Sequence, residues 1–196
     1  MKFKSIDEAI NAVFDLEERI ASIKLEIKNI SESTKKDKIT GLYNQSAFYK
    51  EIDSNDYQSM LILNIDNLGS IAPPLPRATD RESEKEKHIL REFGKIITSF
   101  SYKGDKVFRL FGDTYAVLSK NPEQELLNLA ECIRHYMKNN AIEYEGATTR
   151  LTFSGGTATK EPTVKGLYEK SSRALHIAKQ LGKDCVISHN NIKEFY

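Results

Sequence analysis

The chain has 196 residues, a net charge of +1, 39% hydrophobic residues and 29% charged residues, which predicts a folded domain with an extension. A near-neutral chain offers no broad face for nucleic acid, and no apolar run approaches the roughly 18 residues that would span a bilayer. The opening MKFKSIDEAI turns acidic before a signal-like apolar segment forms, so we expect a cytoplasmic protein without a membrane partner. Two isolated cysteines and four scattered histidines form no metal motif, so no metal is assigned to them.

The first 33 residues are predicted to form a coiled-coil helix. Apolar side chains recur at spacings of 3, 4, 3, 4, 3, 4 and 3 with no Gly or Pro between them, which is the heptad period. The alternative is one amphipathic helix packed on its own domain, which the off-seam Ile10, Phe14 and Leu25 support. Isoleucine at both seam positions leaves a dimer or a higher oligomer open. The expected oligomer seam consists of Ile6, Ala9, Val13, Leu16, Ile20, Ile23, Ile27 and Ile30.

Beyond the polar joint SESTKK, the chain from residue 37 to residue 196 alternates helices with strands, which predicts one α+β domain. The order β-α-β-β-α-β, with one more helix and strand appended, predicts a mainly antiparallel, ferredoxin-like sheet flanked by helices. The predicted elements are a helix over 45–53, a strand over 59–65, a helix over 88–100, a hairpin over 107–119, a helix over 122–140, a strand over 149–158, a helix over 164–182 and a strand over 184–188.

The hairpin is centred on the stretch RLFGDTYAVL. Gly112 and Asp113 form a two-residue link between apolar runs, and Gly at the first central position suits a type II′ turn. Such a turn would place Asp113 at an exposed tip. Its carboxylate could serve chemistry or only the turn, and neighbouring segments have to decide between the two.

Five segments resemble the GGDEF domain family, in order and in spacing, from Asp37 to about Ser188. DKITGLYNQSAF is similar to the family's opening motif D-x-L-T-G-L-x-N-R-x-x-F, and LILNIDNL to its first strand with D-I-D-x-F. RLFGDTYAVL stands where the family has R-x-G-G-D-E-F-x-V-L, the signature hairpin. LTFSGGTA and SSRALHIAKQLGKD resemble the two last motifs. The resemblance implies a palm-type fold, and a coiled coil leading into the domain is common in the family.

Active members of the family are diguanylate cyclases, in which two facing domains each hold GTP and Mg²⁺ and make cyclic di-GMP. Metal ions must neutralise the charge that develops during this phosphoryl transfer, and carboxylates hold them. By this resemblance the metal-binding Asp of the first strand falls on Asn64. The hairpin acids fall on Asp113 and Thr114, and Phe111 stands for the first glycine before Gly112. Two of three acidic positions are therefore neutral, and we expect no catalytic residue and no cofactor, with Mg²⁺ required only if the chain is an enzyme.

Other family sites are also altered. The base-reading Asn aligns with Ala72, and a base-reading Asp aligns loosely near Lys87, beyond a proline-bearing loop. The product-binding R-x-x-D motif aligns with the segment from Tyr102 to Asp105, which lacks the Arg. Positions that the resemblance retains for phosphate are Lys179 and Lys183, expected on one helical face, and the backbone near Gly69.

The sequence thus predicts a degenerate GGDEF domain that signals by oligomerising through its coil and by binding another signalling protein. One alternative is a receptor that holds GTP or a related nucleotide weakly without turnover. A second is an active cyclase with altered metal ligation, in which Asp66 or the cluster of Asp80, Glu82 and Glu84 would have to supply carboxylates.

Overall fold

The structure is a computed structural model that describes residues 6–71, 83–159 and 161–195, with side chains described for 13–26, 34–71, 83–159 and 161–192. The chain divides into two compact units, Met1–Lys36 and Asp37–Tyr196. No helix within these described stretches combines the length and the apolar character needed to cross a bilayer.

The first unit contains one helix, α1 (Ile6–Ser33), of 28 residues. It continues through Ser31–Ser33, where the sequence predicts a polar joint, so the loss of apolar period does not end the helix. Four seam residues have 50–54% of their surface exposed, whereas the side chains of the other four lie outside the described residues. The exposed four are Val13, Leu16, Ile20 and Ile23, and the other four are Ile6, Ala9, Ile27 and Ile30.

The second unit is built on a five-stranded sheet in the order β2-β3-β1-β6-β7, in which β1 pairs antiparallel with both β3 and β6 and only β6 and β7 are parallel. This arrangement confirms the predicted α+β fold with a mainly antiparallel central sheet. The strands are β1 (Ser59–Ile65), β2 (Lys106–Phe111), β3 (Thr114–Ser119), β6 (Phe153–Thr159) and β7 (Val186–Ser188), and a separate hairpin comprises β4 (Ile142–Tyr144) and β5 (Ala147–Thr149).

Helices cover both faces of the sheet, so β1 is buried along its whole length. The helices of this unit are α2 (Gln45–Tyr49), α3 (Leu68–Ile71), α4 (Glu84–Phe100), α5 (Glu123–Asn139), α6 (Val164–Gln180) and a 3-10 helix (His189–Phe195). Leu61, Leu63 and Ile65 of β1 belong to the core with α4 and α5, whereas Met60 and Ile62 belong to the core with α2 and α6, as the two-residue period of a strand requires.

Helix α6 lies directly against β6 at Gly156. A Cβ atom added at this glycine would lie 2.2 Å from the Ser171 carbonyl oxygen and 2.3 Å from the Leu175 nitrogen, both of which are backbone atoms of α6. No side chain fits there without moving the helix away from the sheet. The glycine of SGG at position 156 therefore allows α6 to pack closely against β6. The C-terminal end of α6 leads to the candidate site.

The structure corrects the sequence prediction at three elements. The strand predicted over 149–158 is broken, because β5 ends at Thr149 and pairs with β4 through a Glu145-Gly146 turn in which both residues have positive φ. The helix predicted over 45–53 ends at Tyr49. The helix predicted to reach residue 182 ends at Gln180, where Gly182 takes a φ of 110° and the chain reverses.

Candidate functional site

The strand β1 and the β2-β3 hairpin bring the signature positions together. Asn64 is paired in register with Thr114, so the end of β1 lies under the hairpin tip. The Asn64 amide nitrogen donates to Oδ1 of Asp113 at 2.6 Å and to Oγ1 of Thr114 at 3.0 Å. The chemistry fixes which amide atom is the nitrogen, because the oxygen would be repelled by the carboxylate at this distance. Both amide hydrogens of Asn64 are therefore used inside the site.

This arrangement does not fit Mg²⁺. The ion needs several hard oxygen ligands, among which carboxylates supply the charge. Here Asp113 contributes the single carboxylate of the three positions, and Asn64 turns hydrogen atoms rather than its oxygen toward it. Across the part of the chain that the structure describes, no group of three or more His, Cys, Asp or Glu side chains is arranged to hold a metal. The amide of Asn64 donates to a carboxylate oxygen of Asp113 that a bound cation would need.

The prediction that Asp113 is exposed at the hairpin tip is wrong, because this residue is half-buried. The turn itself has the predicted form, with a positive φ of 53° at Gly112 and pairing of Phe111 with Thr114 across two residues. The reason for the burial is tertiary, because the Asp113 carbonyl accepts from the Ile65 N–H while its side chain meets Asn64. Asp113 therefore helps to form the turn and also links the turn to β1.

A partly buried ion pair braces the same hairpin. Arg109, 5% exposed, donates through Nη1 to both carboxylate oxygens of Asp37 at 3.2 Å and through Nε to the Gly112 carbonyl at 2.8 Å. Burial opposes ionisation of Asp37, but hydrogen bonds from Thr40 and the charge of Arg109 outweigh it, so the pKa of Asp37 lies below its usual value. Sequence reasoning missed this pair. A lone Arg in an otherwise apolar strand was the signal that could have revealed it.

Phe111 projects from the hairpin with 54% of its surface exposed. A bulge between Arg109 and Phe111 shifts the pairing of β2 with β3 at this point. Phe111 is paired with Thr114, so the hairpin carries a benzyl side chain at a position where a glycine would leave bare backbone. Bulk at this position obstructs close approach of a ligand to the hairpin backbone.

Asp66 is the one acid of the stretch NID, and its contacts are those of a structural residue. It is 3% exposed, and its carboxylate accepts hydrogen bonds from Ser154 Oγ at 2.7 Å, from Thr152 Oγ1 at 2.8 Å and from the Asp184 N–H at 3.1 Å. These contacts join the end of β1 to the start of β6 and to the loop after α6. Three of the roughly four acceptor positions of this carboxylate are thus used within the protein.

The phosphate candidates are arranged differently from the sequence prediction. Lys179 is in the last turn of α6, but Lys183 lies beyond the helix in the left-handed region, so the two do not share a helical face. A Schellman motif causes this, since the Gly182 and Lys183 N–H groups bond to the carbonyls of Lys179 and Ala178. The reversal carries the Lys183 ammonium to Oδ1 of Asn67. Asn67 begins the turn that contains Gly69, so two of the candidate positions are neighbours.

The segment that aligns with the product-binding motif is a local turn. Oδ2 of Asp105 accepts from the Tyr102 N–H at 3.0 Å, and Oδ1 accepts from Ser119 Oγ at 2.6 Å. A hydrogen bond to Glu125 raises the pKa of the Tyr102 phenol. Asp105 is therefore engaged within the protein, and the segment presents no guanidinium for a phosphate.

Two further sequence predictions concern the base-reading positions. Ala72, the three prolines after it and two of the cluster acids, Asp80 and Glu82, lie outside the described residues. Lys87 is on α4, where its ammonium bonds Oε1 of Glu84 at 2.9 Å within the same helix. Glu84, the third acid of that cluster, thus pairs with a lysine.

Comparison with known proteins agrees with this fold. The chain matches the family described as diguanylate cyclase, GGDEF domain, over residues 85–185, and it therefore belongs to the GGDEF domain family. It is 29% identical over 109 residues to diguanylate cyclase A of Treponema denticola, an alignment that covers 53% of this chain and 29% of the relative. The chain thus spans less than a third of that relative's length.

Two solved structures share the architecture. The coiled coil and GGDEF domain of DgcB from Caulobacter crescentus, in complex with c-di-GMP, superposes with a TM-score of 0.77 and 16% identity, covering 92% of this chain and 98% of that one. The diguanylate cyclase SiaD from Pseudomonas aeruginosa, in complex with its activator SiaC, has a TM-score of 0.68 and 17% identity, covering 92% of this chain and 72% of that one. At these identities the likeness shows the fold alone.

Proposed function

We propose that this chain is a catalytically inactive GGDEF-domain signalling protein of the cytoplasm, which acts through oligomerisation and through binding another protein. The observation that carries the proposal is the hydrogen bonding of Asn64 to Asp113 and Thr114. A cyclase needs cations at this point to offset charge in the transition state, whereas here the site holds one carboxylate, which is hydrogen-bonded to an amide.

The fold itself is intact, whereas this site holds only one carboxylate. Every residue of β1 and of β3 is buried, and both sheet faces are covered by helices. A domain that retains its core but not its metal ligands retains a shape that another protein can recognise. The solved complex of SiaD with its activator shows a protein partner on a related fold, and the exposed apolar residues of α1 support self-association of this chain.

A second candidate is a receptor that binds GTP or a related nucleotide without turnover. The contact of Lys183 with Asn67 favours it, because it brings a cation beside the turn that contains Gly69. Against it stands Phe111, whose exposed side chain is on the signature hairpin. The cyclase with altered ligation is the weakest candidate, since Asp66 already accepts three hydrogen bonds.

Isothermal calorimetry distinguishes these functions. The full chain is titrated with GTP plus Mg²⁺ and, separately, with cyclic di-GMP, and the cell contents are analysed for product. The proposed scaffold gives no heat with either nucleotide and no product. Heat with GTP that is lost in Lys183→Ala but kept in the control Lys165→Ala establishes the receptor, and product formation establishes an enzyme.

A further inference from the structure

We draw no further inference here: the strongest candidate, the groove between the end of α4 and α5 that is lined by Phe100, Cys132 and Tyr136, is an aromatic surface patch, and nothing in the structure shows what covers it.

Discussion

The side-chain nitrogen of Asn64 lies 2.6 Å from Oδ1 of Asp113, at the end of a strand whose every residue is buried. A neutral donor thus satisfies the carboxylate that the fold retains at the hairpin. The same nitrogen also reaches Thr114, so the cluster is closed by protein atoms alone. The consequence is a site that is stable without a cation.

Replacing Asn64 with Asp should destabilise the domain by about 1–3 kcal/mol at neutral pH, because two carboxylates then face each other where a donor stood. The loss should shrink at low pH, where one carboxyl takes up a proton, and millimolar Mg²⁺ should recover part of it. Asn64→Ala is the control, which loses the donor without adding charge and should not respond to Mg²⁺. Urea unfolding measures both variants, and an Asn64→Asp protein as stable as wild type without metal contradicts the account.

Restoring both acids, with Asn64→Asp and Thr114→Glu together, should still give no cyclic di-GMP. By the family resemblance the base-reading position is Ala72, and Phe111 still stands at the hairpin edge. Residues of one site act as a unit rather than additively, so two carboxylates alone do not rebuild it. Product analysis after incubation with GTP and Mg²⁺ checks this. Turnover by the double variant would mean that the metal ligands were the main defect.

Breaking the Arg109–Asp37 pair from one side should destabilise the domain by about 3–5 kcal/mol, because the guanidinium of Arg109 stays buried without its partner. Asp37→Asn is the informative variant. Since the folded pKa of Asp37 is lowered, its stabilisation is present above the unfolded pKa of about 3.9 and lost as pH falls through the folded value. The wild-type and Asp37→Asn stabilities should therefore converge in acid, which thermal unfolding across pH would detect. A constant gap from pH 7 to pH 2 argues against the ion pair as the cause.

Gly156→Ala should cost about 3 kcal/mol or more, because its Cβ would overlap the backbone of α6. Gly155→Ala is the matched control on the same strand. There the nearest atoms are methyl groups of Val186, at 3.1 and 3.3 Å, which belong to a side chain and can shift. Denaturant unfolding should show a clearly larger loss of stability for Gly156→Ala than for Gly155→Ala. Equal losses of stability would show that α6 packs less closely against β6 than this contact implies.

Self-association through α1 should depend on the seam. Ile20→Asp together with Ile23→Asp places charges in its centre, where desolvation is costly, and the oligomer should become monomeric with the domain still folded. Phe14→Asp with Leu25→Asp changes two residues of similar exposure off the seam and should keep the oligomer. Light scattering gives the mass and circular dichroism the fold. A wild-type monomer at tens of micromolar would favour the single amphipathic helix instead.

The hydrophobic pattern along the chain explains which elements the sequence predicts well. The strand over 59–65 has the predicted bounds, because a continuous apolar run of that length is typical of a strand covered on both faces. The hairpin also follows from its Gly-Asp turn. The position of Lys183 does not follow from the helical period. A Schellman motif, which depends on one glycine after the last turn, places this residue outside the helix.

The candidate functional site also depends on tertiary contacts that a local sequence pattern does not predict. Sequence reasoning identified Asn64, Asp113 and Thr114 as one group, because a resemblance aligned them. It placed Asp113 at an exposed tip, because turn chemistry alone says nothing of the neighbouring strand that meets it. Contacts such as Arg109 with Asp37, 72 residues apart, are set by tertiary structure and leave no local pattern.

The most direct test of the central claim is a product assay. The full chain is incubated with GTP and Mg²⁺ or Mn²⁺, beside the Asp113→Ala variant and a sample without protein, and nucleotides are separated by chromatography. Because Asp113 is the single carboxylate of the site and is hydrogen-bonded to the Asn64 amide, we expect no cyclic di-GMP above the protein-free sample. Cyclic di-GMP made by the wild-type chain and abolished in Asp113→Ala would contradict it.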